Sequence, residues 1–203
     1  MTLCLVTDRT RRPVLDQCRE AVHAGIDMIQ VRERSLDDGP LASLVTELVR
    51  LTRGTATRVV VNDRLDVALA CRADGVHLRG DSIPPEAARS IAPEGFLIGR
   101  SVHQEQEASA ASGGCDYLIA GTVFPTSSKP GLTEWLGADG LARICRAVSL
   151  PVLAIGGVTA DRLPSVAAAG AAGIAGIGLF GASRPLADVV AEARRAWTAG
   201  RVV

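Results

Sequence analysis

Four polar clusters hold most of the side chains in this sequence that could do chemistry. They are Gln30-Val31-Arg32-Glu33-Arg34, Asn62-Asp63-Arg64, Gly99-Arg100-Ser101-Val102-His103 and Thr126-Ser127-Ser128-Lys129. Gln30, Arg32 and Arg34 stand at alternate positions, so in an extended chain they share one face. Two guanidinium forks and an amide on one face suit a phosphate or diphosphate, because arginine presents planar paired donors. A rim row of ion pairs with Glu33, Asp37 or Asp38 is the competing arrangement. Lys129 adds an ammonium among hydroxyls, in a stretch whose composition also fits an ordinary solvated loop. Asn62 and Asp63 could hold a cation or a polar ring, or could cap the helix that begins after them. Of the three histidines, His23 falls in a helical stretch, whereas His77 and His103 fall at strand ends. An imidazole there can carry a proton near neutral pH or serve as a hydrogen-bonded structural group.

Two glycine turns complete the set. Ile155-Gly156-Gly157 and Gly176-Ile177-Gly178 each follow a short apolar run. Without a Cβ, backbone N–H groups can approach a phosphate closely, though tight turns that need positive φ use the same residues.

The elements that must position these groups alternate along the whole chain. Short apolar runs bounded by Gly, Asp or Asn predict strands at Leu3–Thr7, Met28–Arg32, Arg58–Val61, Gly75–Leu78, Phe96–Gly99, Tyr117–Gly121, Val152–Ile155 and Gly173–Ile177. Their Val and Ile content suits strands buried on both faces, as in a parallel sheet. Between them, helical spacing marks Val14–Ala24, Leu41–Thr52, Leu65–Cys71, Pro85–Ile91, Glu105–Ala111, Gly140–Val148, Leu163–Ala169 and Ala187–Trp197. Leu41, Leu44, Val45, Leu48 and Leu51, for instance, share one helical face. This βα alternation predicts one α/β domain over residues 1–203, a single (β/α)8 TIM barrel, in which all strand ends of one polarity meet at one mouth. The stretch from Gly121 to Gly137 is long for so short a chain and reads as functional, with Trp135 able to cover a pocket or a partner.

Composition narrows the function classes. With 203 residues, 47% hydrophobic, the chain can bury one large core. Lys plus Arg balance Asp plus Glu at 22 each, which gives no support for nucleic acid or an acidic membrane as partner. The five cysteines (Cys4, Cys18, Cys71, Cys115 and Cys145) are scattered and form no C-x-x-C pair, which argues against a disulfide framework or structural zinc. None is assigned chemistry. No apolar run approaches the roughly 18 residues of a membrane span, and the N-terminus does not read as a signal peptide. A soluble, cytoplasmic protein acting on a small molecule is expected, with a homo-oligomer left open.

In this order along the chain, the clusters resemble the thiamine phosphate synthase / TenI family of (β/α)8 barrels. Gln30, Arg32 and Arg34 match a Q-x-R-x-K pattern with Arg for Lys. Asn62 and Asp63 match an Asn-Asp pair, Ser101 a serine after strand five, Thr126, Ser128 and Lys129 a T-x-T-K loop, and Ile155, Gly156 and Gly157 an Ile-Gly-Gly turn. For a synthase the resemblance implies that the arginines, the lysine and the Asn-Asp pair hold a pyrimidine diphosphate with Mg²⁺. The loop hydroxyls, the glycine turn, Ile177 and Gly178 would hold thiazole phosphate, and Asp63 with Asp81 would be the metal carboxylates.

Two departures divide the family's reactions. Ser82 stands where the family's second metal-binding Asp is placed, and Arg79 brings an added positive charge. A hydroxyl is a poor Mg²⁺ ligand beside a carboxylate. Arg32-Glu33-Arg34-Ser35 and Ile98 to His103 look like the TenI branch, whose members aromatise a carboxythiazole phosphate without metal or other cofactor. Yet Thr122 stands where that branch carries a catalytic histidine. His103 then becomes the candidate proton carrier, with Lys129 or Arg34 on the substrate carboxylate and Thr122 lining the site. The expectation places thiazole tautomerase first, thiamine phosphate synthase second, and a thiazole-phosphate-binding regulator without chemistry third.

Overall fold

The computed structural model describes residues 1–126, 131, 133–181 and 184–200. Its strands are β1 (Thr2–Val6), β2 (Met28–Val31), β3 (Arg58–Asn62), β4 (Gly75–Leu78), β5 (Leu97–Val102), β6 (Tyr117–Ala120), β7 (Val152–Ile155) and β8 (Gly173–Gly176). Its helices are α1 (Val14–His23), α2 (Asp38–Thr52), α3 (Leu65–Ala70), α4 (Pro85–Arg89), α5 (Glu105–Ala111), α6 (Gly137–Ala147), α7 (Leu163–Ala168) and α8 (Leu186–Ala199). Each strand pairs in parallel with the next and β8 returns to β1, which closes the barrel. The expected (β/α)8 architecture is the observed one. Two boundaries differ usefully. β5 runs on to Val102, so Arg100 and Ser101 lie on a strand rather than after it, and α2 begins three residues before Leu41.

Residues of one parity point into the barrel and those of the other meet the helices. The interior layer contains Cys4, Val6, Met28, Val60, Tyr117, Ile119, Leu153 and Ala175. The outer layer of Leu3, Leu5, Ile29, Val31, Val59, Val61, Val76, Leu78 and Ile98 packs beneath the helices with α-face residues such as Val45, Leu48, Leu141 and Ile144. Gly99 makes room for the largest interior side chain. A Cβ there would lie 2.1 Å from the Tyr117 ring.

The face at the strand N-termini is held by a repeated device. Asp27, Asp74 and Asp116 each immediately precede an even-numbered strand. Their carboxylates accept the N–H of Leu3, Val59 and Ile98, each at 2.7 Å. Each carboxylate also meets an arginine: Arg194 for Asp27, Arg58 for Asp74 and Arg89 for Asp116. The aspartates satisfy strand N–H groups that the sheet ladder leaves over. With one face fixed for stability, the opposite face is left for chemistry.

Candidate active site

A cavity of about 1240 Å³ opens where the strands end at their C-termini. Gln30, Arg32, Arg34, Asn62, Ser101, His103, Thr122, Thr126, Gly156, Gly157, Ile177 and Gly178 all line it. Barrel closure thus gathers twelve expected site residues from six strand ends into one basin. Ser128 and Lys129 lie outside the described residues. Asp63 is described but does not line the cavity, which Asp81 does. Trp135 is 39% exposed and is also absent from the lining among the described residues.

One wall is cationic. Gln30 is nearly buried at 3% exposure, and its amide nitrogen donates to Asn62 Oδ1 at 3.4 Å. The backbone N–H of Arg32 donates to Thr7 Oγ1 at 3.0 Å, which fixes the chain as it leaves β2. The rim ion-pair row is not what forms here. Among the described residues neither Arg32 nor Arg34 has a carboxylate partner, while Asp38 pairs with Arg64 and Glu33 accepts the Arg9 N–H. Burial, and then the neighbouring Arg34, disfavour the charged form of Arg32 and lower its pKa. An anion bound between the two forks would relieve that repulsion. Arg79, a cation the sequence clusters did not include, lines the same cavity.

The opposite wall is made of turns. Gly156 and Gly157 have φ of +97° and +61°, values that favour glycine. A Cβ on Gly156 would lie 2.4 Å from Thr122 Cγ2, and one on Gly157 would lie 2.3 Å from the Pro125 carbonyl oxygen. The Gly156 carbonyl accepts the Phe124 N–H at 3.0 Å, and the Gly157 carbonyl accepts from Arg162 at 2.7 Å. Arg162 is held in turn over the Phe124 ring, 4.7 Å from its centroid. Both carbonyls are thus engaged by protein donors, and both glycines line the cavity after β7, the place where barrels commonly seat phosphate. Gly178, past β8, has open space where a Cβ would stand.

The floor is neutral. His77 is 2% exposed, with Nε2 2.9 Å from Ser101 Oγ and Nδ1 3.3 Å from the Tyr117 hydroxyl. Burial pushes its pKa down to about 3, against a small opposing pull from Asp63. The Tyr117 hydroxyl, also raised by burial, keeps its proton. A phenol donating to Nδ1 leaves Nε2–H to donate to Ser101, whose own proton then faces an acceptor in the cavity. His77 is therefore a structural, hydrogen-bonded imidazole and not a proton carrier. His103 sits at the rim with Nδ1 donating to the Gly121 carbonyl and its backbone N–H bound to Glu107 at 2.7 Å. Thr122 is buried at 7% exposure and brings no titratable group.

The Asn-Asp pair does not cap a helix. α3 has no side-chain cap. Asp63 adopts a left-handed φ of +62°, uncommon outside glycine, and faces Arg79 instead. Its Oδ1 accepts the Arg79 N–H at 3.4 Å and its Oδ2 lies 3.4 Å from Arg79 Nη1. Asp81 takes the other side of the same fork, with Nε–H donating to Oδ1 at 2.9 Å and Nη2 to Oδ2. Both carboxylates expected to hold Mg²⁺ are thus joined to one guanidinium, and the adjacent Ser82 supplies only a hydroxyl. Among the described residues no three His, Cys, Asp or Glu side chains gather as a metal site. A two-carboxylate Mg²⁺ seat does not fit this arrangement.

A closed barrel with guanidinium groups on one wall of its mouth and glycine turns on the other has the layout of a (β/α)8 enzyme. The profile of the family described as thiamine monophosphate synthase matches residues 3–180. A thiamine-phosphate synthase of Methanoregula boonei is 45% identical over 177 residues, which cover 87% of this chain and 81% of that one. One from Methanoculleus marisnigri is 41% identical over 203 residues, 95% of this chain and 96% of the relative. The solved thiamine phosphate pyrophosphorylase of Pyrococcus furiosus superposes with a TM-score of 0.88 at 37% identity, over 98% of this chain and 96% of that one. The chain belongs to the thiamine monophosphate synthase family. These relatives reverse the expected order of reactions: they favour the synthase over the tautomerase, and enzyme over regulator. No helix among the described residues is long and apolar enough to cross a membrane.

Proposed function

We propose that the protein joins a pyrimidine diphosphate to a thiazole phosphate, releasing pyrophosphate, the reaction for which its relatives are named. The observation that carries this reading is the cavity with unlike walls. Arginines at the end of β2 and glycine turns after β7 and β8 line one cavity of about 1240 Å³, above the roughly 300–1,000 Å³ of a usual single-ligand pocket. A tautomerase needs one anion seat and an acid–base pair. The synthase reading uses a seat at each wall and asks nothing of Thr122, which offers no base.

Under this reading the diphosphate lies against Gln30, Arg32 and Arg34, and thiazole phosphate lies against Gly156, Gly157 and Gly178. The thiazole ring nitrogen gives its lone pair to the carbon that carries the diphosphate. The C–O bond breaks and the diphosphate departs with its electron pair. What the protein contributes is alignment and countercharge, and neither requires a titrating side chain. Ser101, presented by His77, gives the ring region a neutral hydrogen-bonding group.

Supplying both substrates in one reaction and following thiamine phosphate and pyrophosphate tests this reading. Equimolar appearance of the two is expected, with no aromatisation when carboxythiazole phosphate is supplied alone. Aromatisation without coupling would overturn it.

A further inference from the structure

The synthase reading supplies the ligand for one more residue. We propose that Arg79 is a diphosphate-binding residue that, together with Arg32 and Arg34, supplies the countercharge a carboxylate-bound divalent ion would otherwise supply. The three side chains line one cavity. Asp81 and Asp63 hold the Arg79 fork from two sides, at 2.9 Å from Nε and 3.4 Å from Nη1, yet its side chain stays 43% exposed. A fork held in place by two carboxylates and still 43% exposed is preorganised to accept an anion from its solvent side.

Charge bookkeeping around the fork favours the same role. Arg79 adds to the repulsion already felt by Arg32 from Arg34, and Arg32 and Arg34 have no carboxylate partner among the described residues. Asp8 and Glu33 offset part of that repulsion, and three guanidinium groups around one space still suit an anion. For a divalent ion to enter between Asp63 and Asp81 it would first have to displace Arg79 from a two-bonded pair, with Ser82 giving no carboxylate in return. As the C–O bond breaks, negative charge grows on the leaving diphosphate. A guanidinium already in place meets it without reorganisation.

Calorimetric titration of the full-length protein with inorganic pyrophosphate tests the assignment, once in EDTA and once with Mg²⁺ in excess. Binding is expected in EDTA, with an affinity that Mg²⁺ changes by less than about threefold. Arg79→Gln should weaken it at least about tenfold, the scale of one charge-assisted contact. The paired change Arg79→Gly with Ser82→Asp should bind pyrophosphate only when Mg²⁺ is present. Wild-type binding that requires Mg²⁺, or unchanged binding in Arg79→Gln at preserved circular dichroism, would overturn the proposal. Those results leave the synthase reading intact if thiamine phosphate still forms. Intact metal-free pyrophosphate binding without coupling would instead overturn the reaction and keep the role of Arg79.

Discussion

Replacing His77 by Gln should flatten the acid side of the stability profile, by an amount that follows from burial alone. The imidazole titrates at 6.5 in an unfolded chain and at about 3 in its buried position. Below pH 6.5 the unfolded state therefore takes up a proton that the folded state refuses. The stabilisation from a neutral His77 is complete above pH 6.5 and is lost as pH falls toward 3, at about 1.4 kcal/mol per pH unit. Between pH 7 and pH 5 this one group should cost the wild type about 2 kcal/mol. The interval from 6.5 to about 3 sets a ceiling of about 4–5 kcal/mol. Urea denaturation of wild type and His77→Gln at pH 7, 6 and 5 isolates the term, since His23 and His103 are present in both. Asp63 pulls the imidazole in the opposite direction. The variant should be less stable at pH 7, having lost the imidazole's fit between Ser101 and Tyr117, yet lose about 2 kcal/mol less on acidification. Parallel pH profiles for the two proteins would refute a buried neutral His77, and with it the neutral floor of the cavity.

The two glycine turns give a contrasting pair. Gly157→Ala should cost stability, by about 1–3 kcal/mol in chemical denaturation, because its φ is positive and its Cβ would fall 2.3 Å from the Pro125 carbonyl. Gly178→Ala, with nothing within 4 Å of its Cβ, should melt like wild type yet raise KM for thiazole phosphate. An unchanged KM would remove the last strand end from the phosphate seat. On the far face, Asp74→Ala strips the Val59 N–H of its partner and should cost about 1–2 kcal/mol by denaturation, with kcat unchanged. A change in kcat at preserved fold would contradict the separation of the stabilising face from the reactive one.

The barrel was legible because its strands are short, apolar and regularly interrupted, and their period-two alternation fixes which residues face inward. The convergence of strand ends in a closed barrel placed Gln30, Ser101 and Gly156 at one mouth, despite more than a hundred residues between the first and the last. Pairing across loops was not legible. Asp63 could as well have capped α3, and nothing local says that it turns back toward Arg79 sixteen positions on. The bottom-face aspartates were a missed signal. Asp27, Asp74 and Asp116 stand just before Met28, Gly75 and Tyr117, and a repeated Asp at the entrance to every even strand up to β6 was there to be noticed. His77 was ambiguous for a physical reason. An imidazole at a strand end is a proton carrier if solvated and a structural group if buried, and its 2% exposure, with the Tyr117 ring centroid 5.7 Å away, is a tertiary fact.

Of the two departures, Ser82 argues against the synthase and Thr122 against the tautomerase. They are not of equal weight. A proton-transfer step fails when its base is absent, because no hydroxyl of ordinary pKa replaces an imidazole at neutral pH. Countercharge for a leaving group is less particular. It can come from a metal, a guanidinium or a set of N–H groups, provided it is aimed before the bond breaks. The loss at Ser82 is accompanied, three residues earlier in the same segment, by Arg79, a cation already seated between the remaining carboxylates. The loss at Thr122 has no companion in its own segment. Among the described residues the histidine on that side is His103 at the rim, whose Nδ1 donates to the Gly121 carbonyl and leaves Nε2 as the basic nitrogen, a group the proposed reaction does not use. Under the proposed reaction, a site that has replaced the charge lost at Ser82 suits the expulsion of diphosphate.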